Sequence, residues 1–177
     1  RNPLKEKQIQ ELIDVDLPIS EYWKYREGLS GLDSLSDKAD YINSLDLPID
    51  KKNILVNNQT DRKEPIDLTG FDDRFADFEE FDFAVNNPEK YEIALKVGGY
   101  EAYKSYKEGM KDMKLDEKAD YVAGLDLTAE QKNALINGET DRKEPIDLTD
   151  YNKYGDLDEL DFAVKNPGKY SVSKVIG

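Results

Sequence analysis

The sequence predicts an all-α chain: a tandem repeat of two similar modules of short helices, each with a long, ordered, extended loop. Two observations carry that expectation. Ten residues, Thr60 to Thr69 (TDRKEPIDLT), recur unchanged as Thr140 to Thr149. Their flanks recur as well. Glu21, Lys38-Ala39-Asp40-Tyr41 and Asn53 return 80 positions later as Glu101, Lys118-Ala119-Asp120-Tyr121 and Asn133. After a one-residue deletion, Asp82-Phe83-Ala84-Val85, Asn87-Pro88 and Lys90-Tyr91 return 79 positions later as Asp161-Phe162-Ala163-Val164, Asn166-Pro167 and Lys169-Tyr170. One unit used twice lends each copy a face to bury against its neighbour. The expected organisation is therefore residues 1–20 as the end of a preceding repeat or linker helix, 21–97 as the first module and 98–177 as the second.

Taken in order, Asn2-Pro3 with Lys5 matches the start of the Asn87-Pro88 junction, so we expect a piece of a longer array. Ser36 to Leu45 reads as a helix with Ser36 at its N-cap and Ala39, Ile42 and Leu45 on one face; Asp116 takes the cap position before Ala119, Val122 and Leu125. A short turn, Asp46-Leu47-Pro48 or Asp126-Leu127-Thr128, leads into a second helix. Thr128-Ala129-Glu130-Gln131 has the pattern of a capping box before Ala134, Leu135 and Ile136, and Pro48 suits the first turn of the counterpart ending at Asn57.

The identical segment follows. Ile66 and Leu68 alternate with Asp67 and Thr69, the period-two pattern of an extended strand-like segment. Pro65 lacks a backbone donor and biases Glu64 toward extended geometry. Residues 59–76 and 139–155 thus read as ordered arms. Asp77 and Asp156 then cap helices with Glu80 and Glu159 three residues on, and Phe78, Phe81 and Val85 (Leu157, Leu160 and Val164 in the copy) form the expected buried stripe. Asn87-Pro88 and Asn166-Pro167 end those helices and open the next. Glu89 to Met113 reads as the stretch between units, with Tyr100, Tyr103 and Tyr106 as a packing face.

Composition narrows the function classes. Of 177 residues, 38% are hydrophobic and 36% charged, against about 45–50% and about 25% in ordinary domains. Thin helical layers with much solvated surface fit those figures. The 11 Tyr, 6 Phe and single Trp argue against an unfolded tail. A net charge of -14 argues against direct nucleic-acid binding and against anionic lipid surfaces, both of which need dense Lys and Arg. It favours solubility, a basic partner, or imitation of a nucleic acid. The absence of Cys removes disulfides and thiol chemistry, and the absence of His removes the commonest general base and metal ligand. No apolar run approaches the ~18 residues of a membrane segment, and no signal peptide is visible.

The strongest candidate site is the duplicated segment. On one reading, Asp61, Arg62, Lys63, Glu64, Ile66 and Leu68, with Asp141, Arg142, Lys143, Glu144, Ile146 and Leu148, present the same contact twice to a repetitive partner or clamp units together. On the other, Arg62 pairs with a nearby carboxylate while Ile66 and Leu68 anchor the arm to the helices. Asp150, Asn152, Gly155, Asp156 and Asp158 also stand at calcium-loop spacing, but Tyr154 and Asp161 occupy two ligand positions unsuitably, and an acid-capped turn explains the stretch better. With 39 acidic residues, carboxylate pairs are expected by chance and identify no acid–base couple. No phosphate loop, dinucleotide glycine motif or zinc spacing is present, so no catalytic, cofactor or metal residue is assigned and no enzyme is expected.

The segment Ser36 to Leu55 (SDKADYINSLDLPIDKKNIL), repeated as Lys118, Tyr121-Val122-Ala123-Gly124-Leu125, Lys132 and Leu135, resembles a repeated element of large structural proteins of bacteriophages and prophages of Gram-positive bacteria. It is similar in particular to the tail tape-measure and related minor structural proteins. That resemblance implies a non-enzymatic, elongated virion component. Its partners would be other copies or repeats of the same protein and other phage structural proteins, in the virion or in the host cytoplasm during assembly. The charge keeps a second expectation open: an acidic inhibitor that imitates nucleic acid toward a host-defence or DNA-binding protein.

Overall fold

A computed structural model describes residues 3–176, and among these residues the chain is all-α, with eleven α-helices, one short 3₁₀ turn and no strand. It divides into two compact units, Arg1–Asn86 and Asn87–Gly177.

The first unit holds α1 (Glu6–Val15), α2 (Ile19–Leu29), α3 (Leu35–Ser44), α4 (Ile49–Asn57) and α5 (Phe78–Asn86). Helix α1 packs on α4, and α3 packs on α2, α4 and α5. Only a few side chains of each helix reach the core: Val15, Tyr22, Tyr25, Ala39, Ile42, Leu55 and Val56 are buried, joined by Ile66 and Leu68 from the α4–α5 connection and by Phe78 and Phe81 of α5. Phe71 and Phe75 lie against Phe81, with ring centroids at 4.9 and 5.3 Å. A narrow apolar stripe on each short helix is what a low hydrophobic fraction permits.

The second unit holds α6 (Pro88–Lys96), α7 (Tyr100–Gly109), α8 (Leu115–Ala123), α9 (Ala129–Asn137), the 3₁₀ turn Tyr151–Lys153, α10 (Leu157–Lys165) and α11 (Pro167–Ile176). Helix α6 packs on α7 and α9, α8 on α9 and α10, and α10 on α11. Its core gathers Ala94, Val97, Tyr100, Tyr103, Met110, Ala119, Val122, Leu135, Ile136, Ile146 and Leu148, with Tyr151, Leu157, Leu160 and Ala163. Helix α11 buries no side chain; Val172, Val175 and Ile176 are exposed.

Several helix ends depart from the expectation. Ser34, not Ser36, caps α3, its Oγ accepting from the Asp37 N–H at 3.0 Å. In the copy, Lys114 rather than Asp116 holds the N-cap position; Glu117 Oε2 accepts from the Lys114 N–H at 2.7 Å. The helix starts earlier because Leu35 and Leu115 join it, and each leaves an acceptor three residues after the cap residue. Pro48 is the N-cap of α4 rather than a first-turn residue, with ψ 149°. The Thr128 box is present: Thr128 Oγ1 accepts from Gln131 N at 3.2 Å, and Gln131 Oε1 from Thr128 N at 2.9 Å. Asp77 and Asp156 cap α5 and α10 through Glu80 N and Glu159 N at 2.9 and 2.8 Å. Val85 and Val164, expected to be buried, are 61% and 68% exposed, because each lies in the last turn, beyond the packed part of its helix. Ala163 is buried in the second unit instead. Glu89 to Met113, read as the stretch between units, carries α6 and α7 and belongs to the second. Within it Tyr100 and Tyr103 are buried and Tyr106 is half-buried. Asn2 lies outside the described residues.

Candidate interaction site: the duplicated arm

Residues 58–77 contain no helix, so their peptide groups need partners other than their own turn. Two asparagines one helical turn apart on α4 supply them. Asn57 Oδ1 accepts from Ile66 N and Asn57 Nδ2 donates to Ile66 O, each at 2.7 Å. One primary amide thereby meets both backbone groups of one residue, as a neighbouring strand would. Asn53 Oδ1 accepts from Leu68 N at 2.8 Å, and Asn53 Nδ2 donates to Asp67 Oδ1 at 2.9 Å. Asp67 Oδ1 also accepts from Thr69 N and Oγ1 at 3.0 and 2.7 Å. The second unit makes the corresponding bonds: Asn137 to Ile146 at 2.7 and 2.8 Å, and Asn133 to Leu148 N and Asp147 at 2.7 and 2.9 Å.

This geometry accounts for the alternating pattern. With Ile66 and Leu68 held by the asparagines, their side chains enter the core at 5% and 1% exposure while Asp67 and Thr69 face water. Ile146 and Leu148 are buried in the same way. The Asp67 and Asp147 carboxyls are held below the usual range, chiefly by the threonine hydroxyl two residues on, with the threonine N–H and the asparagine amide adding to it.

The charged residues of the arm divide. Arg62 makes a two-pronged pair with Asp82 of α5, Nη1 and Nη2 both at 3.0 Å from Oδ1, and Arg142 Nη2 lies 2.7 Å from Asp161 Oδ1 of α10. Each pair closes within its own unit. Asp61, Lys63 and Glu64, with Asp141, Lys143 and Glu144, are exposed. So the arm is anchored by Arg62, Ile66 and Leu68, and it displays a short charged tip. Sequence reasoning missed the asparagines as the anchor. Their signal was visible: Asn53 and Asn57 stand one turn apart and recur as Asn133 and Asn137.

A lysine on the same helix adds a second tie. Lys52 Nζ donates to Asn43 O at 2.6 Å and Lys132 Nζ to Ala123 O at 2.7 Å, placing a cation at the carbonyl end of α3 or α8. Tyr41 and Tyr121 lie across Gly28 and Gly109, so closely that a β-carbon at either glycine would overlap the phenol. A helical glycine is otherwise costly, and close approach explains these two.

Immediately before the arm the units differ. Glu139, with a side chain only 4% exposed, bonds both Lys107 of α7 and Lys118 of α8, the latter at 2.6 Å. Burial pushes its carboxyl up, but the two lysines together outweigh that and hold it below the usual range. The corresponding Gln59 donates to Tyr25 Oη at 3.3 Å. The first unit buries a different carboxylate, Glu11, which accepts from Tyr22 Oη at 2.8 Å and Asn58 Nδ2 at 2.7 Å.

Three acids of the stretch read for calcium spacing have local partners. Asp150 pairs with Lys153 at 2.9 Å, Asp156 caps α10 and Asp161 holds Arg142. Glu159 accepts from Gly155 N at 2.6 Å, Tyr170 Oη at 2.8 Å and Lys174, which together draw its carboxyl down to about 2. Among the described residues no group of three His, Cys, Asp or Glu side chains is placed to hold a metal ion. No described helix is long and apolar enough to cross a membrane. Searches against protein-family models, curated proteins and solved structures return no match to this chain.

Proposed function

We propose that this chain is a non-enzymatic structural segment of a phage or prophage virion protein, of the tape-measure or minor structural type. In this reading one helical module is used twice, each copy carrying a long ordered arm. The work is mechanical and interfacial: packing of repeats and docking of partner proteins through the charged arm tips, Asp61, Lys63 and Glu64 with Asp141, Lys143 and Glu144.

The observation that carries the proposal is the recurrence of the asparagine anchor beside an unchanged ten-residue arm. The matching helix pairs α1–α4 with α6–α9, α3–α4 with α8–α9 and α3–α5 with α8–α10 lend it further support. Two anchored arms with identical charged tips suit a partner that repeats. The acidic-decoy reading is less well supported, since Arg62, Arg142, Lys107 and Lys118 pair with carboxylates and interrupt the negative surface.

Particles purified from an induced culture of the source strain, freed of soluble protein on a density gradient and digested for mass spectrometry, test the proposal. Peptides of this chain should band with the particles at a constant ratio to the major tail proteins. Their presence in the soluble fraction alone would reject it.

A further inference from the structure

The first unit has two cations at the positions of Lys107 and Lys118 but no carboxylate at the position of Glu139. In the second unit Glu139, the residue before the arm, bonds Lys107 and Lys118. In the first, the residue before the arm is neutral Gln59. Both basic positions persist. Lys38 opens the same Lys-Ala-Asp-Tyr run as Lys118, and Arg26 stands two residues before the glycine under Tyr41, as Lys107 does before the glycine under Tyr121. Arg26, Lys38 and Gln59 line one open cleft of about 650 Å³, with Lys5, Trp23 and Glu27. Among the described residues neither the Arg26 guanidinium nor the Lys38 ammonium has a hydrogen-bonded or ion-paired partner. Glu11, Asp14 and Asp61 line the adjoining cleft with Arg26, and the Glu11 oxygens accept from Tyr22 and Asn58.

We propose that this cleft binds a carboxylate, which takes the place that Glu139 fills in the second unit. The lining carries three cations against one carboxylate, so an entering anion is attracted although the whole chain is acidic. Arg26 offers a planar fork and Lys38 a point charge, the pair that bonds a carboxylate through both oxygens. Trp23 also lines the cleft. The carboxylate belongs either to a small organic acid or to a Glu or Asp side chain on a partner protein; the chemistry of recognition is shared. This site is independent of the arm tips.

Trp23 is the only tryptophan, so its fluorescence reports on the cleft directly. The intact chain is titrated with glutarate, with a capped Ala-Glu-Ala peptide, with phosphate, and with sodium chloride at matched ionic strength. A saturable change with a midpoint on the order of 1 mM is expected for glutarate, the peptide or both. A response to glutarate assigns a small acid, and a response to the peptide alone assigns a protein side chain. Gln59→Glu, which rebuilds the arrangement of the second unit, should weaken binding at least tenfold and raise the melting temperature. Lys38→Met should weaken binding without that gain, which keeps the test informative if Gln59→Glu misfolds. A response matched by chloride, one unchanged in both variants, or tighter binding of phosphate than of either carboxylate overturns the proposal.

Discussion

Asn57 meets both hydrogen-bonding groups of Ile66 with a single amide, and no other side chain of that length carries a donor and an acceptor side by side. Asn57→Ala or Asn137→Ala should therefore cost about 2 kcal/mol, the penalty for leaving sheltered backbone groups unpaired, read from urea denaturation. The helical glycines give an opposite expectation to helix propensity. Gly28→Ala and Gly109→Ala should destabilise by about 1–3 kcal/mol through overlap with the tyrosine, although alanine normally favours a helix. In a Tyr41→Ala background the Gly28→Ala cost should shrink or change sign; an unchanged cost would remove the overlap as its cause. Glu139 gives a pH dependence of definite sign. Its folded carboxyl titrates lower than an unfolded one, so its contribution is present above the ordinary carboxylate range and is lost as pH falls through the lowered folded value. Glu139→Gln should thus cost about 2 kcal/mol at pH 7 and progressively less below pH ~4, in melts across pH.

For the arm as an element, burial outweighs the ion pair. Leu68 is 1% exposed, and Leu68→Ala should lower stability by about 2–5 kcal/mol. Arg62 and Asp82 are about a third exposed, so Arg62→Ala should cost less than about 1 kcal/mol while helical content by circular dichroism holds. A larger loss for Arg62→Ala than for Leu68→Ala would mean that charge anchors the arm. The alternation of Ile66 and Leu68 was enough to foresee which side chains of the arm point inward. The partners of its peptide groups were not legible. They come from a helix that ends nine residues before Ile66, and no local pattern in the arm names them. The caps of α3 and α8 were misplaced by two residues for a related reason. Ser34 and Ser36 both stand where they could cap α3, and α8 begins after Lys114, which offers no side-chain cap.

Across the whole molecule, a net charge of -14 means that long-range repulsion opposes compactness. Raising sodium chloride from low ionic strength toward 0.3 M, where screening acts within about 6 Å, should raise the melting temperature. A fall would show that the short ion pairs outweigh the repulsion. The sequence by itself determined the helical class, the inward side chains of the arm and the acidic caps of α5 and α10, because each follows from residue type at fixed spacing along the chain. Only the tertiary structure decided that Asn53 and Asn57 hold the arm, that Tyr41 lies on Gly28, and that Glu139 has two lysines where Gln59 leaves Arg26 and Lys38 facing an open cleft. Those are contacts between residues on different elements. Their energies depend on distance and burial, which sequence spacing does not encode.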